Sequence, residues 1–328
     1  MDSSLTGTID PVAMIRPGRT ITGMSAILLP IDQDGEVDFE AFTGLVERTV
    51  RAGLIPAVNM DTGFVHLIDD ATRRRVLRRT AAVVQGIGGG FVAGVYVRDR
   101  PGQPLDAPEY QSGIEEVAEA GGIPILFQSF GLTRLSDDDL VDAYETILAD
   151  ADAAYFFELG KMFAPFGRIY DLPVYRRLMM IPKMLGAKHS SLRRDLEWQR
   201  LRVRDEQRPE FRVLTGNDRA IDMVRYGSDY LLGLASFAPD AFALRDRMWA
   251  DRDSRFEAIN DVLQYLGAFA FRPPVPAYKH SAAMFLALRG WIDNDDTMAG
   301  CPMRPASDRA VLELMVDDLQ RLMDGFDE

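Results

Sequence analysis

Residues 154–159 read AYFFEL and residues 184–190 read MLGAKHS, two short apolar runs that begin 30 residues apart. Neither shows the in-out polar alternation of a strand with one wet face, so both read as strands buried on two sides, as in a parallel sheet covered by helices. An interval of this size holds a strand, a crossover helix and two loops. The same unit recurs outward in both directions. Runs rich in β-branched or aromatic residues begin near Gly23 (GMSAILLPI), Ile55 (IPAVNM), Phe91 (FVAGVYV), Pro124 (PILFQSF), Arg212 (RVLTG) and Tyr230 (YLLGLAS), which makes eight at intervals of 18 to 36 residues.

The segments between them read as helices. Phe39, Phe42, Leu45, Val46 and Thr49 follow the i, i+3, i+6, i+7 pattern of one helical face, and Gly53 supplies a left-handed C-terminal cap. Before the fifth run, Ser136 is placed to N-cap a helix, Asp137 to Asp139 suit the positive end of its dipole, and Leu140, Tyr144, Ile147 and Leu148 form its apolar stripe. Eight such units in about 230 residues indicate a (β/α)8 TIM barrel, an α/β fold, over residues 19–250. Residues 1–18 lack periodicity and read as a loose arm. Beyond Pro239 the strand signal ends, and residues 251–328 read as a C-terminal helical extension. Helix-like stretches lie near 239–271, 277–292 and 307–325, the first two separated by Arg272-Pro273-Pro274-Val275-Pro276.

Composition narrows the class of protein. Fifty acidic against 37 basic residues leave a net charge of −13 over 328 residues, which disfavours nucleic-acid or anionic-membrane partners. The single cysteine, Cys301, cannot form an internal disulfide, and no apolar stretch approaches the roughly 20 residues that span a bilayer. With no basic-then-apolar signal at the start, a cytoplasmic protein is expected. Only four of the basic residues are lysines: Lys161, Lys183, Lys188 and Lys279.

In such barrels the reacting groups project from the C-terminal ends of the strands and from the loops that follow. The polar residues there are Asp61 and Thr62, Arg98 and Asp99, Gln128 and Ser129, Glu158 and Lys161, Lys188 and His189, Asn217 and Asp218, and Ser236. Lys188 is the sharpest signal. It ends an apolar run and shares a strand side with Gly186, whose missing side chain leaves room for a long one. On the barrel axis, desolvation would lower its pKa, and a neutral amine attacks a ketone to form an imine, an electron sink for an adjacent bond. The plainer reading is a lysine that snorkels out of the strand end.

Five segments carry a family resemblance. They are Leu29-Pro30 through Asp34-Gly35-Glu36-Val37-Asp38, the loop Asp61-Thr62-Gly63, the strand Leu185-Gly186-Ala187-Lys188-His189-Ser190-Ser191, the turn Thr215-Gly216-Asn217-Asp218, and Val275-Pro276-Ala277-Tyr278-Lys279. Across about residues 20 to 290 they resemble the dihydrodipicolinate synthase / N-acetylneuraminate lyase superfamily, the imine-forming (β/α)8 aldolases and dehydratases of 2-oxo acids. The resemblance implies that Lys188 forms the imine and that Thr62 and Gly63 hold the substrate carboxylate. Asp61, Gly216 and Asn217 would complete the substrate site. It implies no dissociable cofactor, since the lysine imine is the electron sink, and no metal; it also implies a homodimer or homotetramer.

The departures are as informative. The family's proton-shuttling tyrosine aligns with Phe157, which has no proton to give and would only wall the pocket. Glu158, His189 or Tyr170 would take over proton transfer, with Glu158 and His189 preferred. Asp61 stands where the family has threonine, and would repel a substrate carboxylate unless paired, for which Arg98 and Arg168 are candidates. The second family tyrosine is not evident in Gln128-Ser129-Phe130-Gly131, so dihydrodipicolinate synthesis itself is not expected. The expected activity is a class I lyase of a 2-oxo acid of the pyruvate type, by aldol cleavage or condensation or by dehydration, sugar-derived acids included. Two alternatives stay open: a 2-oxo-acid-binding or regulatory barrel without turnover, and a metal-dependent enzyme using Asp61, His66, Glu158 and His189.

Overall fold

In a computed structural model, which describes residues 9–327, eight parallel strands close into a barrel in sequence order. They are β1 (Gly23–Ala26), β2 (Ile55–Val58), β3 (Val92–Val95), β4 (Ile123–Leu126), β5 (Ala154–Leu159), β6 (Met184–Ser190), β7 (Arg212–Thr215) and β8 (Asp229–Leu232). β8 closes onto β1 with Gly23 opposite Tyr230. Each strand begins within a residue of the position read from its apolar run. The TIM-barrel fold class is therefore as the sequence indicated.

The helices form where local chemistry starts and stops them. α1 (Phe39–Ala52) begins at Asp38, whose side chain accepts from the N–H groups of Glu40 and Ala41, and ends at Gly53 with φ 96°. The outer layer continues with α2 (Asp70–Ile87), α3 (Ala107–Glu119), the single turn α4 (Phe130–Thr133), α5 (Asp137–Ile147), α6 (Leu172–Met179), α7 (Arg194–Gln207) and α8 (Pro239–Ala250). α5 is capped by Ser136, which accepts from Asp139 N–H. The extension contributes α9 (Phe256–Ala270), α10 (Tyr278–Leu288) and α11 (Asp308–Asp327). The helix-like stretch 239–271 is two helices, because Arg252 adopts φ 59°, a left-handed conformation that stops α8.

Residues 1–8 of the expected arm lie outside the described residues. Residues 9–18 are tied to the barrel: Arg16 N–H donates to Arg225 O at 2.8 Å, and the Trp249 indole donates to Arg16 O at 3.0 Å.

Strand alternation sorts side chains into two cores. Phe156, Ala187 and Val213 face the helices, whereas Tyr155, Phe157, Leu159 and Leu214 fill the barrel. A register irregularity sets Tyr155 opposite Gly186, and beyond it Phe157 pairs with Lys188 and Lys188 with Leu214. The extension closes over the C-terminal mouth. Gly267 of α9 lies so close to the turn after β7 that a Cβ there would sit 2.2 Å from Asp218 O. No helix among the described residues is long and apolar enough to cross a membrane.

Candidate active site

Lys188 points into the barrel with 9% of its surface exposed, its Nζ 4.3 Å from the centroid of the Phe157 ring. Gly216 makes the space: a Cβ there would lie 2.9 Å from Lys188 Cε and 2.1 Å from Ser190 Oγ. Gly186 serves a different purpose from the one its spacing suggested. A Cβ at 186 would meet Arg212 O at 2.4 Å and the Tyr155 ring at 3.0 Å, so that glycine permits close strand packing instead of housing the lysine. Burial lowers the Lys188 pKa to about 8, with the carboxylates of Asp218 and Asp61 opposing the shift.

Asp218 follows β7 and is buried. Burial raises its pKa to about 7, against the pull of the Leu234 N–H, which donates to Oδ1 at 2.7 Å, and of Lys188. Among the described residues no cation bonds to it. A carboxyl of this kind exchanges protons near neutrality, within electrostatic reach of the amine.

A second polar group joins the turn Asp61–Gly63 to α10. Lys279 Nζ lies 3.1 Å from Asp61 Oδ1, Tyr278 OH donates to Asp61 Oδ2 at 3.0 Å, and Thr62 Oγ1 is 2.9 Å from Tyr278 OH. His66 Nδ1 is 3.8 Å from Asp61. Burial acts to raise the Asp61 pKa, but Lys279, then His66 and the hydrogen bonds, outweigh it and hold the carboxylate ionised. Burial, reinforced by Asp61, pushes the Tyr278 phenol well above its ordinary value. The cation that Asp61 requires is thus Lys279. Arg98 is turned to Asp70, at 2.8 Å, and to Ile68 O, and Arg168 to Asp137 and Leu135 O.

Glu158 and His189 are not part of this group. They are register partners on the outer face of β5 and β6, one residue out of step with Phe157 and Lys188. Arg200 of α7 binds both Glu158 oxygens, at 2.8 and 2.7 Å, Tyr170 N–H donates to Oε1 at 2.9 Å, and His189 Nδ1 lies 2.8 Å from Oε2. Burial opposes ionisation of Glu158, yet Arg200 and His189 bring its pKa down to about 2. Tyr170 bonds to Tyr144, also among the helices. The proton-transfer role expected of these residues therefore has no support in their placement. The four-residue metal set is likewise divided, with Asp61 and His66 at the mouth and Glu158 and His189 outside it. Among the described residues no three His, Cys, Asp or Glu side chains converge to hold a metal.

Phe157 walls the amine, and Thr62 is buried at the mouth. Gly63 sits with its Cβ position 3.3 Å from Ile27 O. Asn217 holds its turn, accepting from Arg219 N–H at 3.1 Å. Sequence reasoning assigned no role to Asp218, Tyr278 or Lys279. All three lie in segments that carry the family resemblance, and Lys279 is one of only four lysines.

A family model described as a protein of unknown function (DUF993) matches residues 24–324. No curated protein matches the sequence. Solved structures share the fold. A prophage protein of the dihydrodipicolinic acid synthase family from E. coli K12, in complex with pyruvate, is 14% identical with TM-score 0.76, covering 92% of this chain and 98% of its own. Dihydrodipicolinate synthase from Thermotoga maritima is 16% identical with TM-score 0.76, covering 92% and 99%. A catalytic lysine mutant of the Ruminococcus gnavus sialic acid aldolase is 14% identical with TM-score 0.76, covering 93% and 98%.

Proposed function

Since the chain belongs to the family of unknown function (DUF993) and has the barrel of the dihydrodipicolinate synthase-like structures, we propose that it is an imine-forming lyase of a 2-oxo acid. The observation that carries the reading is the buried Lys188 amine, with its pKa lowered to about 8, at the C-terminal end of β6 and electrostatically coupled to Asp218. The neutral amine adds to the C2 carbonyl, and loss of water leaves the imine. The protonated imine then accepts the electron pair of the C3–C4 bond, or of a C3–H bond in a dehydration.

Asp218 moves the protons in this scheme, because its pKa of about 7 lets it both accept and donate near neutrality. Thr62 and Tyr278 orient the substrate carboxylate, and the Lys279 charge offsets Asp61. Phe157 excludes water from the amine. A homodimer or homotetramer is part of the proposal, checked by sedimentation.

Incubation with pyruvate followed by borohydride should leave a stable adduct on Lys188, located by mass spectrometry. An adduct at another lysine, or none with any 2-oxo acid, would overturn the reading.

A further inference from the structure

The mouth of the barrel is polar on the side of β2, β7 and α10 and aromatic on the side of β3, β4 and β5. From the Phe157 ring beside the amine, Phe127 follows at 5.0 Å and 68°, Tyr96 packs on Phe127 at 5.6 Å and 75°, and Phe166 lies 6.3 Å from Tyr96. Phe127, Tyr96 and Phe166 border a cavity of about 110 Å³, with Asp61, His66 and the Tyr96 hydroxyl as the polar side chains of its lining. An apolar cavity of ~150 Å³ accepts benzene, and this one is of the same order but smaller. Lys188 does not line this cavity, which approaches the amine through the Phe127–Phe157 contact. A larger cleft of about 600 Å³ shares Pro165 and Phe166 with it, lies between the 160–169 loop and residues 101–102 and 130–134, and has no member in ring contact with Phe157 among the described residues.

The lining selects against two kinds of substituent. No Lys or Arg among the described residues lines the cavity, and the nearby Lys279 is already paired with Asp61 at 3.1 Å, so a second carboxylate would be desolvated with no free cation in the lining to meet it. A polyhydroxylated chain would set its hydroxyls against Phe127, Leu159 and Phe166 with few partners. An aryl ring instead extends the edge-to-face series already present.

We propose that the substrate is a 4-hydroxy-2-oxo acid bearing an uncharged aryl group on C4, cleaved to an aryl aldehyde and pyruvate. This rests on the imine reading. The Lys188 amine condenses with the C2 carbonyl, taking up one proton and releasing one water. The C4 hydroxyl gives its proton to the Asp218 carboxylate as the C3–C4 bond breaks, and the bonding pair moves to the iminium nitrogen to form an enamine. C4 leaves as the aldehyde carbon. The enamine takes the proton back at C3, and one water hydrolyses the iminium to pyruvate, the amine and the proton first taken up. No oxidant or reductant is needed.

The test measures pyruvate release from 4-hydroxy-2-oxo-4-phenylbutanoate and from analogues carrying dihydroxyethyl or carboxyl in place of phenyl, with borohydride trapping of pyruvate in parallel. The phenyl acid is expected to show a kcat/KM at least about tenfold above both analogues. Trapping on Lys188 with equal or better cleavage of either polar analogue overturns the aryl assignment alone. No trapping overturns the imine reading and this substrate with it.

Discussion

The inner and outer faces of the β5–β6 pair put buried charge to opposite uses. Inside, Lys188 lies against Phe157 with no hydrogen-bond or ion-pair partner among the described residues, and its pKa falls to about 8. Outside, one residue along each strand, Glu158 is just as buried but bound by Arg200, His189 and the Tyr170 N–H, and its pKa falls to about 2. Burial opposes the charged form in both. The partner decides the outcome: a compensated carboxylate is locked in its charged form, whereas an uncompensated amine is made reactive.

The largest effect expected is on the inner face. Lys188→Arg keeps a cation that does not form an imine, so trapping and turnover should fall by at least about 10³-fold while far-UV circular dichroism is unchanged. Retained turnover would break the contrast between the faces.

On the outer face, Arg200→Met strands a buried carboxylate and should cost about 3–5 kcal/mol in urea unfolding. Glu158→Gln in the same background should recover part of that loss. A variant of full stability that had lost only turnover would make the outer face functional after all.

The pH responses sharpen the comparison. Trapping by Lys188 should rise through a midpoint near pH 8, since the free amine reacts. Glu158 has a folded-state pKa of about 2, below its ordinary 4.5, so its contribution to stability is present above 4.5 and is lost as pH falls toward 2. Glu158→Gln should flatten the stability profile in that acid window and leave the trapping midpoint in place.

The smallest change comes from Tyr278→Phe. It removes the bonds to Thr62 and Asp61 but keeps the ring stacked on Phe271 at 4.3 Å. A stability loss of about 1 kcal/mol and a raised KM for the 2-oxo acid are expected. An unchanged KM would remove Tyr278 from substrate orientation.

Much of the candidate site is legible in the chain. The apolar run ending at Lys188 marks a strand end, and its barrel position follows from eight runs at βα spacing. Alternation also carries a signal against two of the candidates: if Phe157 and Lys188 share the inner face, then Glu158 and His189 take the outer one. The roles of Asp218, Tyr278 and Lys279 are not legible, because a motif places a residue in a loop without stating what surrounds it.

By itself the sequence determined the order of the strands, the caps at Gly53 and Ser136, and the lysine at a strand end, because burial period and capping are local properties. Only the tertiary structure decided which buried charges found partners. Glu158 meets Arg200 across 42 residues of chain, and Asp61 meets Lys279 across 218. The electrostatics of a buried group depend on what lies within a few ångströms, and separation along the chain does not encode that distance.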